Sequence, residues 1–119
     1  MVFLGVDPGF QYAGFGVASK HGAQVTLLDS GFLKMTPTKS LSERTQLFFE
    51  HFTTLVLKYH VNVLILETPF LGKNAQNFLK LGYLRGILYL IASQHKLQIM
   101  EFTPTQVKAA VTGYGGASK

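Results

Sequence analysis

Two acids in this chain close two apolar runs. The sequence opens MVFLGVDPGF, so Asp7 ends the run Val2–Val6 and a Pro-Gly turn follows at once. Further along, NVLILETPF sets Glu67 at the end of a second run of the same kind. An acid at the tip of a buried strand is costly unless a proton, a hydrogen bond or a cation compensates it. Taken singly, each has a modest role open to it: Asp7 can cap its own turn, and Glu67 can accept from a nearby backbone amide. As a matched pair on neighbouring strand tips they would repel unless a cation lay between them. A hard divalent ion, Mg²⁺ or Mn²⁺, suits two carboxylates, and the pair favours that reading.

The elements that must position the two acids follow from periodicity. Val2–Val6 reads as a central strand ended by Asp7-Pro8-Gly9. QYAGFGVAS (11–19) and QVTLLDSGFLK (24–34) read as two more strands around the short turn Lys20-His21-Gly22, which makes an antiparallel meander. Gly14 and Gly16 allow close backbone approach or a bulge. Ser40 opens S-L-S-E, a capping box with Glu43, and the helix behind it stripes Leu41, Phe48, Phe52, Leu55, Val56 and Tyr59 along one side. NVLILE (62–67) is a strand, 75–95 a helix, LQIMEF (97–102) a strand, and TPTQVKAAVT begins a last helix with Thr103 as cap and Pro104 at its first position. Helical crossovers set the fourth and fifth strands parallel to the first. The expected fold is α/β, a mixed five-stranded sheet flanked by helices, in a single domain over 1–119. In a parallel pair both acids then project at the carboxyl edge of the sheet, where α/β proteins place their sites.

Composition narrows the classes. The chain has 119 residues, 47% hydrophobic and 13% aromatic, enough for a packed core. It contains no cysteine, which excludes a disulfide framework, a zinc-thiolate site and a cysteine nucleophile. No basic segment leads into a long apolar run at the N-terminus, and the greasiest stretch, LGYLRGILYLIA, carries Arg85 and is short of the roughly 20 residues that span a bilayer. A soluble, cytoplasmic protein with no membrane partner is expected. Eleven Lys and Arg against six Asp and Glu leave a net charge of +5, scattered rather than in a polybasic run, which suits a folded surface reading phosphates.

Three blocks carry a resemblance: LGVDPG with the glycine-bearing second strand, ILETPFLGKNAQNFLKLGYLRG, and FTPTQVKAAVTGYG. Together, in order and over essentially the whole chain, they resemble the RuvC Holliday-junction resolvases. That resemblance implies a ribonuclease H-like fold, a homodimer, and Mg²⁺-dependent symmetric nicking of four-way DNA junctions, with Mn²⁺ as a substitute metal. It matches Asp7 and Glu67 to metal-binding carboxylates, Phe70 to an aromatic that stacks on a junction base, and Lys108 and Lys119 to lysines near the scissile phosphate. Read alone, Phe70 is equally a tucked loop residue, and Lys108 and Lys119 are equally solvated. Lys73 and Lys80 are basic candidates for phosphate contacts, with a solvated surface role as the plainer reading. The helix 75–95 is apolar nearly all round, interrupted by Gly82, Arg85 and Gly86, so it needs a second burial surface: another helix of the domain or, as the resemblance implies, a two-fold partner. A branch-migration motor is the family's usual further partner.

The chain also departs from the family. The resemblance calls for further acidic ligands on a final helix, and the sequence given stops at GGASK. Asp29 falls mid-strand, Glu43 in the capping box, Glu50 on the first helix and Glu101 inside the fifth strand, so none is expected to reach the strand tips. His21, His51, His60 and His95 lack metal-ligand spacing and read as surface histidines. A C-terminally truncated resolvase with weak or no cleavage and exposed apolar surface is therefore expected, with a non-cleaving junction-binding protein as the alternative. The G-V-D-P-G turn is also similar to the first phosphate loop of actin-like and sugar-kinase ATPases, but the second loop and adenosine site those need are not found here. A related putative resolvase and RNA-processing nuclease family shares the fold; the middle block with Phe70 and Lys73 favours the RuvC type.

Overall fold

The computed structural model describes residues 1–68 and 75–102. Three strands come first: β1 (Val2–Asp7), β2 (Tyr12–His21) and β3 (Gln24–Lys34). Helix α1 (Leu41–Tyr59) leads to β4 (Val63–Glu67), and α2 (Ala75–His95) leads to β5 (Gln98–Phe102). The sheet order is β3-β2-β1-β4-β5. β1–β2 and β2–β3 pair antiparallel, while β1–β4 and β4–β5 pair parallel, as the short turns and helical crossovers required. The irregularity in β2–β3 falls at Val17/Ala18 and not at the glycines. The expected helix from Thr103 lies outside the described residues.

Alternation along the central strands decides which face is core. Leu4, Val6, Val17, Leu64 and Leu66 are buried in one cluster with Phe48, Phe52, Leu55 and Val56 of α1 and Leu84, Leu88, Ile91 and Ala92 of α2. Both helices thus cover the same face of the sheet. The start of α1 is built as its sequence reads: Ser40 Oγ accepts from the Glu43 amide at 3.2 Å and Glu43 Oε1 accepts from the Ser40 amide at 3.0 Å. The reciprocal bonds hold Glu43 below the usual carboxylate range, chiefly through the Ser40 amide. Two members of the expected stripe behave differently. Leu41, the first residue of the helix, is 47% exposed. Tyr59 packs at the margin of the core and donates to Asp29 at 2.9 Å.

The two crossovers end alike. His60 after α1 and Lys96 after α2 both adopt left-handed backbone, and the next amides return to helical carbonyls, Val61 to Val56 at 3.1 Å and Leu97 to Ala92 at 2.8 Å. Asn62 then ties three strands at their starts. Its amide donates to the Val2 carbonyl at 2.9 Å, its side-chain oxygen accepts from the Val2 amide at 2.8 Å, and its carbonyl accepts from the Gln98 amide at 3.0 Å. Val2 to Asp7 and Asn62 to Glu67 are equal steps along the chain, so this clamp brings the two acids level. Among the described residues, no helix is long and apolar enough to cross a membrane.

Candidate functional site

Asp7 and Glu67 stand side by side at the carboxyl edge of the sheet. The parallel ladder runs to Val6 opposite Leu66, and the next residue on each strand is the acid. Val6 and Leu66 point into the core, so Asp7 and Glu67 alternate toward the other face. Both side chains are exposed. Water solvates them, and the burial cost that first made these acids conspicuous is relieved. Their mutual repulsion remains. Among the described residues neither carboxylate has a hydrogen-bond or ion-pair partner, so Asp7 does not cap its turn and Glu67 does not accept from a neighbouring amide.

The other four acids are all taken up by the fold. Asp29 accepts from Tyr59, Glu43 sits in the capping box, and Glu50 accepts from Gln46 at 3.2 Å. Glu101 is held by Arg85 at 2.8 Å and by the Tyr89 hydroxyl. Two hard-oxygen donors at neighbouring strand tips with no competing donor fit a divalent cation of the Mg²⁺ type. Among the described residues no third acid or histidine joins them as a cluster able to hold a metal.

Two concavities meet at the pair. One, of about 660 Å³, lies along β1 and β2 and is lined by Asp7, Glu67, Ile65 and the glycines Gly5, Gly14 and Gly16, among others. Gly14 pairs with Asp7 and Gly5 with Gly16, so backbone forms part of the floor beside the acids, with the Phe32 ring against Gly14. A Cβ on Gly16 would meet nothing within 4 Å, leaving open space above it. The second, of about 480 Å³, is lined by Asp7, Glu67, Thr68, Gly82, Arg85 and Glu101, among others.

Glu101 stays inside β5, as expected, and among the described residues it joins no cluster able to hold a metal. It lines the same concavity as Asp7 and Glu67, with its carboxylate engaged by Arg85. Arg85, an interruption in an apolar helix when read from sequence, is 9% exposed and also donates from Nη1 to the Glu67 carbonyl at 2.7 Å. Its Nη2 lies 3.2 Å from the Tyr89 hydroxyl, and its guanidinium stacks 5.8 Å from that ring. The bond to Glu101 raises the Tyr89 phenol above its ordinary value, so Tyr89 remains a donor. A lone arginine in an apolar helix, a tyrosine one turn later and an acid in an apolar parallel strand were the available signal.

Lys80 is exposed on α2 and is not among the described residues lining either concavity. Phe70, Lys73, Lys108 and Lys119 lie outside the described residues. His51 is no surface histidine. It is half-buried in ring contact with Phe15 and Phe52, its Nε2 has no partner among the described residues, and burial lowers its pKa against the opposing field of Asp29.

A mixed sheet in the order 3-2-1-4-5 with helices over one face and paired acids at its parallel edge defines a ribonuclease H-like protein. Residues 3–119 match the family described as crossover junction endodeoxyribonuclease RuvC. The chain is similar to the enzyme of that name from Pelodictyon phaeoclathratiforme, 40% identical over 119 residues, which cover 100% of this chain and 62% of that one. Its counterpart from Natranaerobius thermophilus is 34% identical over 119 residues, 100% of this chain and 74% of that one. Among solved structures, Thermus thermophilus RuvC in complex with a Holliday junction substrate superposes with a TM-score of 0.92 at 27% identity, covering 100% of this chain and 73% of that one. The chain belongs to the RuvC family. It spans 62% of the length of the Pelodictyon relative and 74% of the Natranaerobius one.

Proposed function

We propose that this protein is a structure-specific endonuclease that hydrolyses phosphodiesters in four-way DNA junctions, in recombination and repair, using Mg²⁺ or Mn²⁺. One observation carries the reading: of the six acids, the two left without partners are the two set level at the parallel edge of the sheet. Family membership supplies the substrate class.

Asp7 and Glu67 are the residues that would hold the metal. When bound, a divalent cation there supplies a Lewis acid that activates water for in-line attack at phosphorus and offsets charge on the departing oxygen. The bond to the 3′ oxygen breaks, leaving 5′-phosphate and 3′-hydroxyl ends. Gly5, Gly14 and Gly16 leave backbone in the floor of the concavity beside the acids, and the exposed Phe32 ring stands at its wall where a strand would approach. Lys108 and Lys119 neutralise the scissile phosphate, and Lys73 and Lys80 contact phosphates farther out. Phe70 stacks on an unpaired base, a contact worth about 1–3 kcal/mol.

A homodimer through helix 75–95 belongs to the same reading. Leu79, Tyr83 and Leu90 are 61%, 51% and 50% exposed along one side of α2, with open space at Gly82 and Gly86 between them. A symmetric partner on this stripe would bring two acidic edges to one junction and give paired nicks. The protein works in the cytoplasm, where a branch-migration motor is its further partner.

The test is cleavage and binding of a synthetic four-way junction beside a linear duplex, with and without Mg²⁺. Junction-selective cleavage that Asp7→Asn and Glu67→Gln each remove, with binding retained, supports the reading. Undiminished cleavage by either variant overturns it. Tight binding with no cleavage by the wild type leaves a junction-binding protein instead.

A further inference from the structure

We infer that Arg85 is the positioning residue of the acidic edge: its guanidinium fixes the main chain at Glu67 so that the carboxylate stays beside Asp7, and its ion pair holds Glu101 back from that pair. The inference rests on the metal-dependent reading above and adds a residue to it.

An arginine 9% exposed, flanked on α2 by the fully buried Leu84 and Leu88, is costly unless its guanidinium is paired and hydrogen-bonded. Arg85 divides its fork between two strands. Nη1 donates to the Glu67 carbonyl on β4 at 2.7 Å, and Nη2 bonds Glu101 on β5 at 2.8 Å. This is where the ladders run out, since β1–β4 pairing ends at Val6–Leu66 and β4–β5 pairing ends at Glu67–Phe102. Beyond it, the Thr68 amide donates to the Phe102 carbonyl at 2.7 Å. The peptide between Glu67 and Thr68 is therefore gripped from both ends, by Arg85 at its carbonyl and by Phe102 at its amide. Release of that peptide would let the end of β4 fray from β5 and carry the Glu67 side chain away from Asp7.

The ion pair has a second consequence. Glu101 lines the same concavity as Asp7 and Glu67. Unpaired, it would set a third negative charge at the edge and compete for the cation in a different geometry. Arg85 and the Tyr89 hydroxyl both engage Glu101 Oε1 and keep that oxygen occupied. A lysine at this position would keep the charge but could not span both acceptors, because its ammonium is a point donor rather than a fork.

The experiment is direct Mn²⁺ binding to the full chain, by electron paramagnetic resonance, for wild type, Arg85→Lys and Tyr89→Phe. Melting temperature, metal-free junction affinity and the Mg²⁺ concentration for half-maximal cleavage are measured on the same samples. Arg85→Lys is expected to weaken Mn²⁺ binding by about tenfold or more, as loss of an outer-shell partner does, with metal-free junction affinity unchanged and the Mg²⁺ midpoint shifted in parallel. Tyr89→Phe leaves the Glu67 carbonyl contact intact and is expected to shift both in the same direction by less. Wild-type Mn²⁺ binding in both variants overturns the inference. So does a fall in Mn²⁺ binding matched by equal losses of melting temperature and junction affinity, the signature of a merely structural role. Should Arg85→Lys fail to fold, Arg85→Gln is measured in its place, since it loses both the charge and the fork, and wild-type Mn²⁺ binding in it overturns the inference. Absence of Mn²⁺ binding by wild type would remove the metal-dependent reading itself, and the inference with it.

Discussion

Asp7 and Glu101 are both acids near the carboxyl ends of strands in one sheet, and both line the same concavity. Their surroundings differ. Glu101 meets a buried arginine and a phenol donor from α2, and the fold spends its charge on an internal ion pair. Asp7 meets Gly14 across the antiparallel ladder and lies one residue beyond the last parallel pair, Val6–Leu66, as Glu67 does, and among the described residues nothing cationic or donating pairs with it. An acid with its own partner is part of the architecture. Two acids side by side without one are, in the proposed function, the place for a cation that comes from outside. The helix supplies the difference: α2 passes over β4 and β5 and delivers Arg85 to Glu101, but offers Asp7 no such partner.

Substitutions that treat the two kinds of acid alike should separate them. Asp7→Asn and Glu67→Gln should each lower junction cleavage by more than about a hundredfold, since even outer-shell partners of a metal cost 10–100-fold. Their melting temperatures should hold within about 0.5 kcal/mol of stability, because both side chains are exposed and unpartnered. Glu101→Leu should do the reverse in thermal unfolding. It strands a buried guanidinium, and a loss of about 2 kcal/mol is expected, discounted from the 3–5 of a fully buried pair because Glu101 is partly exposed.

Gly16→Val sharpens the contrast from the approach side. The added side chain meets nothing in the fold but fills the floor beside the acids, so cleavage should drop by about tenfold while the melting temperature scarcely moves. A parallel loss of stability would show that the floor serves packing instead. Ser40→Ala removes the far end of the capping box and should cost about 1 kcal/mol in denaturant unfolding with no change in metal binding.

The smallest effect concerns His51. Burial among Phe15 and Phe52 holds it below its ordinary 6.5, with Asp29 opposing. A histidine lowered in the folded state binds more protons unfolded than folded, so it favours unfolding as the pH falls below about 6.5 and contributes its full stability above that value. Melting temperatures taken between pH 7.5 and 5.5 should decline for wild type and decline less for His51→Leu.

Much of this architecture can be read from local pattern. The continuous apolar runs ending at Asp7 and Glu67, the short turns of the meander and the Ser40–Glu43 box depend on neighbours within a few residues, so the strands, the start of α1 and the range of α2 follow from sequence. The three-block resemblance points to the family in the same way. What no window contains is a contact between residues far apart along the chain. The level setting of Asp7 and Glu67 comes from Asn62 clasping Val2 across two strands. The roles of Arg85 and Glu101 come from a helix crossing the end of a parallel sheet, and an arginine in an apolar helix does not by itself say which oxygen it will meet. His51 of α1 has no local sign of burial, and its ring contact with Phe15 comes from β2, far away along the chain. Composition and periodicity thus determined which residues carry charge and where the strands end. Only tertiary packing decided which charges are neutralised within the fold, because long-range pairing is set by the shape of the assembled layers.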